Sequence, residues 1–212
     1  MSNDSPRLYL ITPRVTDAAA FAPLLQAAMA AGDVACVLLR YEARDEGDAK
    51  KIVKALGDIV QPSGAALLIE NDSQIAVRAN ADGVNIRGLG PAFEDALKRL
   101  RPDRIVGISG LKSRDDAMSA GEQDVDYIMY GEPTADGYVP PQAETLERVA
   151  WWAQLFNVPC VGFAATLTDV APMVEAGADF VALGDAVWND PRGVDAAVRE
   201  AQAVVDGGAK AA

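Results

Sequence analysis

The chain has 212 residues, 50% hydrophobic and 24% charged, a balance that suits one soluble globular domain large enough to bury a sizeable core. Acidic residues outnumber basic ones by 31 to 19, and the resulting formal charge of -12 repels polyanions, which excludes nucleic acid as a partner class. There is neither a basic N-terminus leading into an apolar stretch nor an apolar run near the roughly 20 residues that cross a bilayer, so a cytoplasmic chain without a membrane partner is expected.

In chain order, short apolar runs with strand character alternate with stretches of helical periodicity. "RLYLITP" precedes "DAAAFAPLLQAAMAAG", "ACVLLR" precedes "DEGDAKKIVKALGDIV", "AALLIEND" precedes "SQIAVRANA", and "GVNIRG" precedes "PAFEDALKRL". The rhythm continues with "RIVGISG" and "SRDDAMSAGEQ", "DYIMYGEP" and "AETLERVAWWAQLF", "PCVGFAA" and "LTDVAPMVEAG", and finally "DFVALGD" and "GVDAAVREAQAVV". Strands that are almost continuously apolar fit a parallel sheet covered by helices on its outer side. Glycines such as Gly32 and Gly177 follow helices, where a left-handed residue turns the chain back. Residues 207–212 read as a frayed tail.

Eight strand–helix pairs predict a single-domain α/β protein over residues 1–212, a closed (β/α)8 barrel that is compact beside the usual roughly 250 residues. The rival is an open doubly wound sheet; its dinucleotide-binding form would carry G-x-G-x-x-G after the first strand, where "LITPRVTDAA" has none. In a barrel the chemistry gathers at the C-terminal strand ends. Those ends are Thr12, Arg40, Asn71 with Asp72, Asn85 with Arg87, Ser109 with Lys112, Glu132 with Thr134, Thr166, and Asp185.

The composition limits that chemistry. The chain has no histidine, which rules out a Ser-His-Asp triad, a histidine-ligated metal and an imidazole acid or base. Acid/base work would fall to Glu70, Asp72, Glu132, Asp185, Tyr130 or a cysteine. Bland alternatives stand beside each: Glu70 and Tyr130 facing the helices, Glu132 solvated on a loop, Asp185 capping a helix. Cys36 and Cys160 sit in separate apolar runs, as buried thiols do. Trp151 and Trp152 point about 100° apart on one helix, so one packs on the barrel while the other offers a patch for a homo-oligomer contact. "GEPTADGYVPPQAE" is long enough to cover the mouth as a lid or to lie as an ordered surface loop.

The ordered set "YLIT", "LLR", "LIENDSQIAVRANADGV", "IVGIS", "DYIMYGEP", "VPCVGFA" and "EAGADFVAL" resembles the thiamine-phosphate synthase family, which includes the related thiazole tautomerases. The most specific block runs from Asn71 to Val84. The resemblance implies joining a thiazole phosphate to an aminopyrimidine diphosphate with loss of pyrophosphate, assisted by Mg²⁺. It implies Arg40, Asn71, Asp72 and Ser109 as catalytic positions, with Asp72 the metal ligand.

The chain departs from that pattern at several places. Glu42 replaces a lysine, "NIRGLGP" lacks the acid that would complete the metal site, and "EPTADGYVPP" lacks the lysine of a Thr-x-Lys loop. Ala164-Ala165 stand where the family has Gly-Gly, and Asp185 where it has serine. Catalysis of diphosphate departure depends on cations where negative charge develops, so lost cations bear directly on activity. Arg87, at a family glycine, supports two readings: fixed cations replace the metal, with Arg40, Arg87 and Lys112 forming an anion rim and Asp72 bonded to one of them, or Arg87 simply neutralises Asp72 or reaches solvent with no ligand. Thr134, Ala164, Ala165 and Gly184 complete the expected binding set for a phosphorylated small molecule. Two functions follow, a synthase-like transferase, or a non-catalytic family copy that binds such a ligand or serves in assembly.

Overall fold

The apolar runs fold as eight strands: β1 (Arg7–Val15), β2 (Val34–Tyr41), β3 (Ala66–Glu70), β4 (Gly83–Arg87), β5 (Ile105–Ser109), β6 (Tyr127–Tyr130), β7 (Cys160–Ala164) and β8 (Phe180–Leu183). Each pairs in parallel with its sequence neighbour, and β8 closes onto β1, forming the expected barrel. The helices are α1 (Ala18–Ala31), α2 (Glu46–Val60), α3 (Ser73–Arg78), α4 (Pro91–Leu100), α5 (Arg114–Gly121), α6 (Gln142–Leu155), α7 (Val170–Glu175), α8 (Asp185–Trp188) and α9 (Val194–Gly208). The computed structural model describes residues 6–134 and 136–208. Among them, no helix is long and apolar enough to cross a membrane.

Helix formation follows the periodicity. In α2, Ile52, Val53, Leu56 and Val60 recur at helical spacing and are buried, while Lys51 and Lys54 face water. Asp45 caps that helix by accepting the Asp48 N–H at 2.8 Å. Each large apolar side chain so buried contributes about 1.5–3 kcal/mol.

Strand alternation produces two cores. Val37, Leu39, Ile69 and Ile86 belong to the cluster packed against the helices. Tyr9, Cys36, Leu38, Leu68, Tyr127 and Phe163 belong to a second cluster, which fills the barrel. Space inside is tight: a Cβ at Gly107 would lie 2.0 Å from the Tyr127 ring, so the missing side chain on β5 makes room for the aromatic on β6. Cys36 and Cys160 are buried, free thiols, and burial pushes both pKa values up, that of Cys160 to about 12.

Trp152 is fully buried, stacked on Phe156 at 4.0 Å, and Trp151 is half-buried, with the Arg114 guanidinium 4.8 Å from its ring centre. The short helix α8 follows β8 directly. Helix α9 includes Gly207 and Gly208, and positions 209–212 of the expected tail lie outside the described residues.

Candidate active site

Strand alternation carries polar residues to the inward positions at the C-terminal ends of β2, β3 and β4: Arg40, Glu70 and Arg87. Together with Arg14, Asn71 and Asp185 they line a cavity of about 260 Å³ at the barrel mouth. Arg40 is anchored from below, where its Nε donates to the Thr12 carbonyl at 2.8 Å. Its backbone N–H donates to the Thr12 hydroxyl at 2.9 Å. Its two terminal nitrogens have no carboxylate partner among the described residues. Burial lowers its pKa, with Glu70 acting in the opposite direction, yet an arginine stays charged at neutral pH.

Arg14 was not anticipated. The first strand read as ending at Thr12, but β1 continues past a register break between Ile11 and Arg14, and Arg14 is then paired directly with Arg40 on β2. Like charges in directly opposed positions repel unless something negative intervenes. Glu70 supplies part of that charge, with an oxygen 3.4 Å from Arg14 Nη2. Glu70 therefore faces the mouth, whereas Tyr130 faces the helices and packs near Trp152.

Arg87 closes the other side. Its Nη1 lies 3.3 Å from Glu132 Oε1, and its Nη2 donates to the Pro133 carbonyl at 2.6 Å. Glu132 is not a solvated loop residue: its side chain is 8% exposed and accepts the Gly110 N–H at 2.7 Å. Burial raises its pKa, and Arg87 opposes that rise. Gly110, at φ 68, keeps this close approach open, since a Cβ there would lie 2.7 Å from Arg87 Cγ. Asn71 holds the base of the same unit. It adopts φ 57, accepts the Arg87 N–H at 2.8 Å and donates its own N–H to the Asn85 carbonyl at 3.0 Å.

A buried polar chain rises through the barrel toward this pair. The Tyr9 and Tyr127 hydroxyls are 2.9 Å apart, Tyr127 donates to Asn85 Oδ1 at 3.1 Å, and Asn85 Nδ2 donates to Ser109 Oγ at 2.9 Å. Ser109 is fully buried, and its hydroxyl helps stabilise the Glu132 carboxylate. It ends the chain beneath the mouth and does not line the cavity around Arg40.

The expected rim is therefore redrawn. Asp72 bonds to neither Arg40 nor Arg87: one oxygen accepts the Ile75 N–H at 2.9 Å as the cap of α3, and the other accepts the Tyr41 hydroxyl at 2.9 Å. It lines a separate recess with Asp45, Glu46 and Arg78. Lys112 lies in a neighbouring cavity of about 610 Å³ with Arg148, Tyr130 and Thr145; Arg87 and Thr134 line both spaces. Thr134 is further held in a turn, its N–H donating to the Tyr138 carbonyl at 2.8 Å. Ala164 is buried against the helices, Ala165 is exposed, and Gly184 precedes α8; none of the three lines the cavity around Arg40, though Asp185 does. No three acidic, histidine or cysteine side chains converge on a metal-sized space among the described residues. Asp72, the acid that the resemblance assigns to the metal, is turned to its helix and Tyr41 and does not line the cavity around Arg40.

The sequence pattern of the family described as thiamine monophosphate synthase matches residues 8–187. This chain belongs to the thiamine-phosphate synthase family. A relative from Rhodospirillum centenum named thiamine-phosphate synthase is 38% identical over 203 residues, covering 95% of this chain and 98% of its own. A second relative of that name, from Hyphomonas neptunium, is 35% identical and covers 94% of each chain. Among solved structures, the thiamine phosphate pyrophosphorylase of Pyrococcus furiosus superposes with a TM-score of 0.79 at 21% identity, over 97% of this chain and 98% of that one. The 3-hexulose-6-phosphate synthase of Salmonella typhimurium gives 0.74 at 14% identity, over 95% and 99%. At these identities the two structures share the fold of this family member and carry nothing about its substrate.

Proposed function

We propose that the chain is a thiamine-phosphate synthase of the cytoplasm, joining a thiazole phosphate to an aminopyrimidine diphosphate with release of pyrophosphate. The observation that carries this reading is Arg40: a backbone-anchored guanidinium lining a small cavity at the barrel mouth, with no carboxylate at its terminal nitrogens among the described residues. The relatives named thiamine-phosphate synthase support it along nearly the whole chain.

In that reaction the carbon–oxygen bond to the diphosphate breaks and the electron pair leaves with oxygen, while the thiazole takes the carbon. Negative charge grows on the departing group, and a fixed guanidinium lowers the barrier because its position is set before the charge appears. Arg40 fills that role, and Asn71 shapes the adjacent wall.

A second reading has its own support. Arg87 is engaged by Glu132 and the Pro133 carbonyl, and Arg14 by Glu70, so two of the three mouth cations already have partners. This favours a copy that binds a phosphorylated small molecule without turnover. Incubation with both substrates, followed by assay of thiamine phosphate and pyrophosphate, separates the readings. The synthase reading expects both products, rescue of a thiamine auxotroph, and a loss of about 100-fold or more in kcat for a folded Arg40→Gln variant. Absence of product and of rescue from folded wild-type protein rejects it.

A further inference from the structure

We infer that Arg14 is a further anion-binding residue of the mouth, and that Arg14 and Arg40 together hold a diphosphate group without a divalent metal ion. The inference rests on the diphosphate chemistry proposed above but assigns a residue and a mode of binding that lie outside it.

The register makes the case. Arg14 and Arg40 are paired on adjacent parallel strands, so two guanidinium groups leave the sheet side by side at the rim of one cavity. Such a pair is unfavourable by itself, and the protein only partly neutralises it. Glu70 touches Arg14 at 3.4 Å, with the arginine side chain still 56% exposed, while Arg40 has no ion pair among the described residues. Asp185 and Glu70 are the carboxylates lining the cavity, against Arg14, Arg40 and Arg87. A diphosphate brings the missing negative charge and enough oxygens to accept from several guanidinium nitrogens at once, a geometry that arginine serves well.

Asp72, the acid that would anchor a metal, caps α3 and takes the Tyr41 hydroxyl in a different recess. Lys112, the other cation expected here, belongs to the neighbouring cavity. Arg14 therefore supplies a charge that neither a metal ion nor Lys112 brings to this space.

Calorimetric titration of the full chain with inorganic pyrophosphate, in chelator and again with Mg²⁺, tests the inference. Wild-type protein is expected to bind in chelator, with a Kd within about threefold of the value in Mg²⁺. Arg14→Gln should weaken binding about tenfold, the worth of one charge-assisted hydrogen bond. Glu70→Gln, which frees Arg14 from its competitor, should tighten it. Arg14 is exposed enough for its loss to leave folding intact, and circular dichroism checks this. No heat at millimolar pyrophosphate, binding that requires Mg²⁺, or an Arg14→Gln Kd within twofold of wild type overturns the inference. Because the readout needs no turnover, metal-free binding without product formation would strike the synthase reading alone, while turnover with metal-dependent binding would strike this one.

Discussion

Arg87 at the end of β4 and Glu132 beyond the end of β6 form an ion pair at 3.3 Å that spans the intervening strand end and ties the following loop to the barrel. Arg87 lines both cavities of the mouth, and Glu132 lines the larger one. Its energetics are asymmetric. Removing one partner leaves the other charge in a low-dielectric setting, whereas removing both charges relieves the desolvation cost as well.

Arg87→Ala is expected to destabilise the fold by about 2–3 kcal/mol, somewhat less than a fully buried pair because the guanidinium keeps some contact with water. Arg87→Ala combined with Glu132→Gln should cost less than Arg87→Ala alone. Urea unfolding of wild type, Arg87→Ala, Glu132→Gln and the double variant gives the coupling directly.

Glu132 also predicts a pH dependence. Its folded pKa lies above the ordinary value of 4.5 because burial disfavours the carboxylate. The folded state therefore holds this proton more tightly than the unfolded chain does. Stability from this group is present below about pH 4.5 and is lost as pH rises through the folded value. Urea midpoints of Glu132→Gln should lack that decline, so the wild-type minus variant difference should shrink with rising pH; a flat difference between pH 4 and 7 would remove the burial argument.

Asn71 combines a left-handed backbone with a side-chain bond to the Arg87 N–H. Alanine loses the bond and adds backbone strain, for a cost of about 2 kcal/mol, whereas glycine loses the bond but relieves the strain and should cost about 1 kcal/mol or less. Thermal melts of the two variants should rank glycine above alanine.

Asp72 caps α3. Asp72→Asn keeps an acceptor for the Ile75 N–H and should alter stability by a few tenths of a kcal/mol, while Asp72→Ala should cost about 1 kcal/mol. Pyrophosphate release by Asp72→Asn should stay within about threefold of wild type, under 1 kcal/mol in the barrier. A loss of 100-fold with the fold intact would return Asp72 to the chemistry.

Much of the candidate site was legible as a set of positions. Arg40, Asn71 and Arg87 were placed at strand ends by counting strands, and all three line one cavity. Arg14 escaped because Pro13 reads as a strand terminator, while the register break beyond Ile11 carries β1 past it. Glu132 read as solvated because its neighbours Gly131 and Pro133 are loop residues, and its burial depends on Gly110 and Arg87, far away in sequence.

The amino-acid sequence by itself determined the eightfold strand–helix rhythm, the barrel and the family, because period-two and period-3.6 patterns and ordered motifs are local properties that each segment expresses alone. Only the tertiary structure decided which charges meet. A carboxylate such as Asp72 can cap a helix, hold a cation or answer an arginine with the same side chain, and the choice is set by distances of a few ångströms between groups on different elements. Those distances turned Asp72 toward Tyr41, gave Glu132 to Arg87, and left Arg14 beside Arg40.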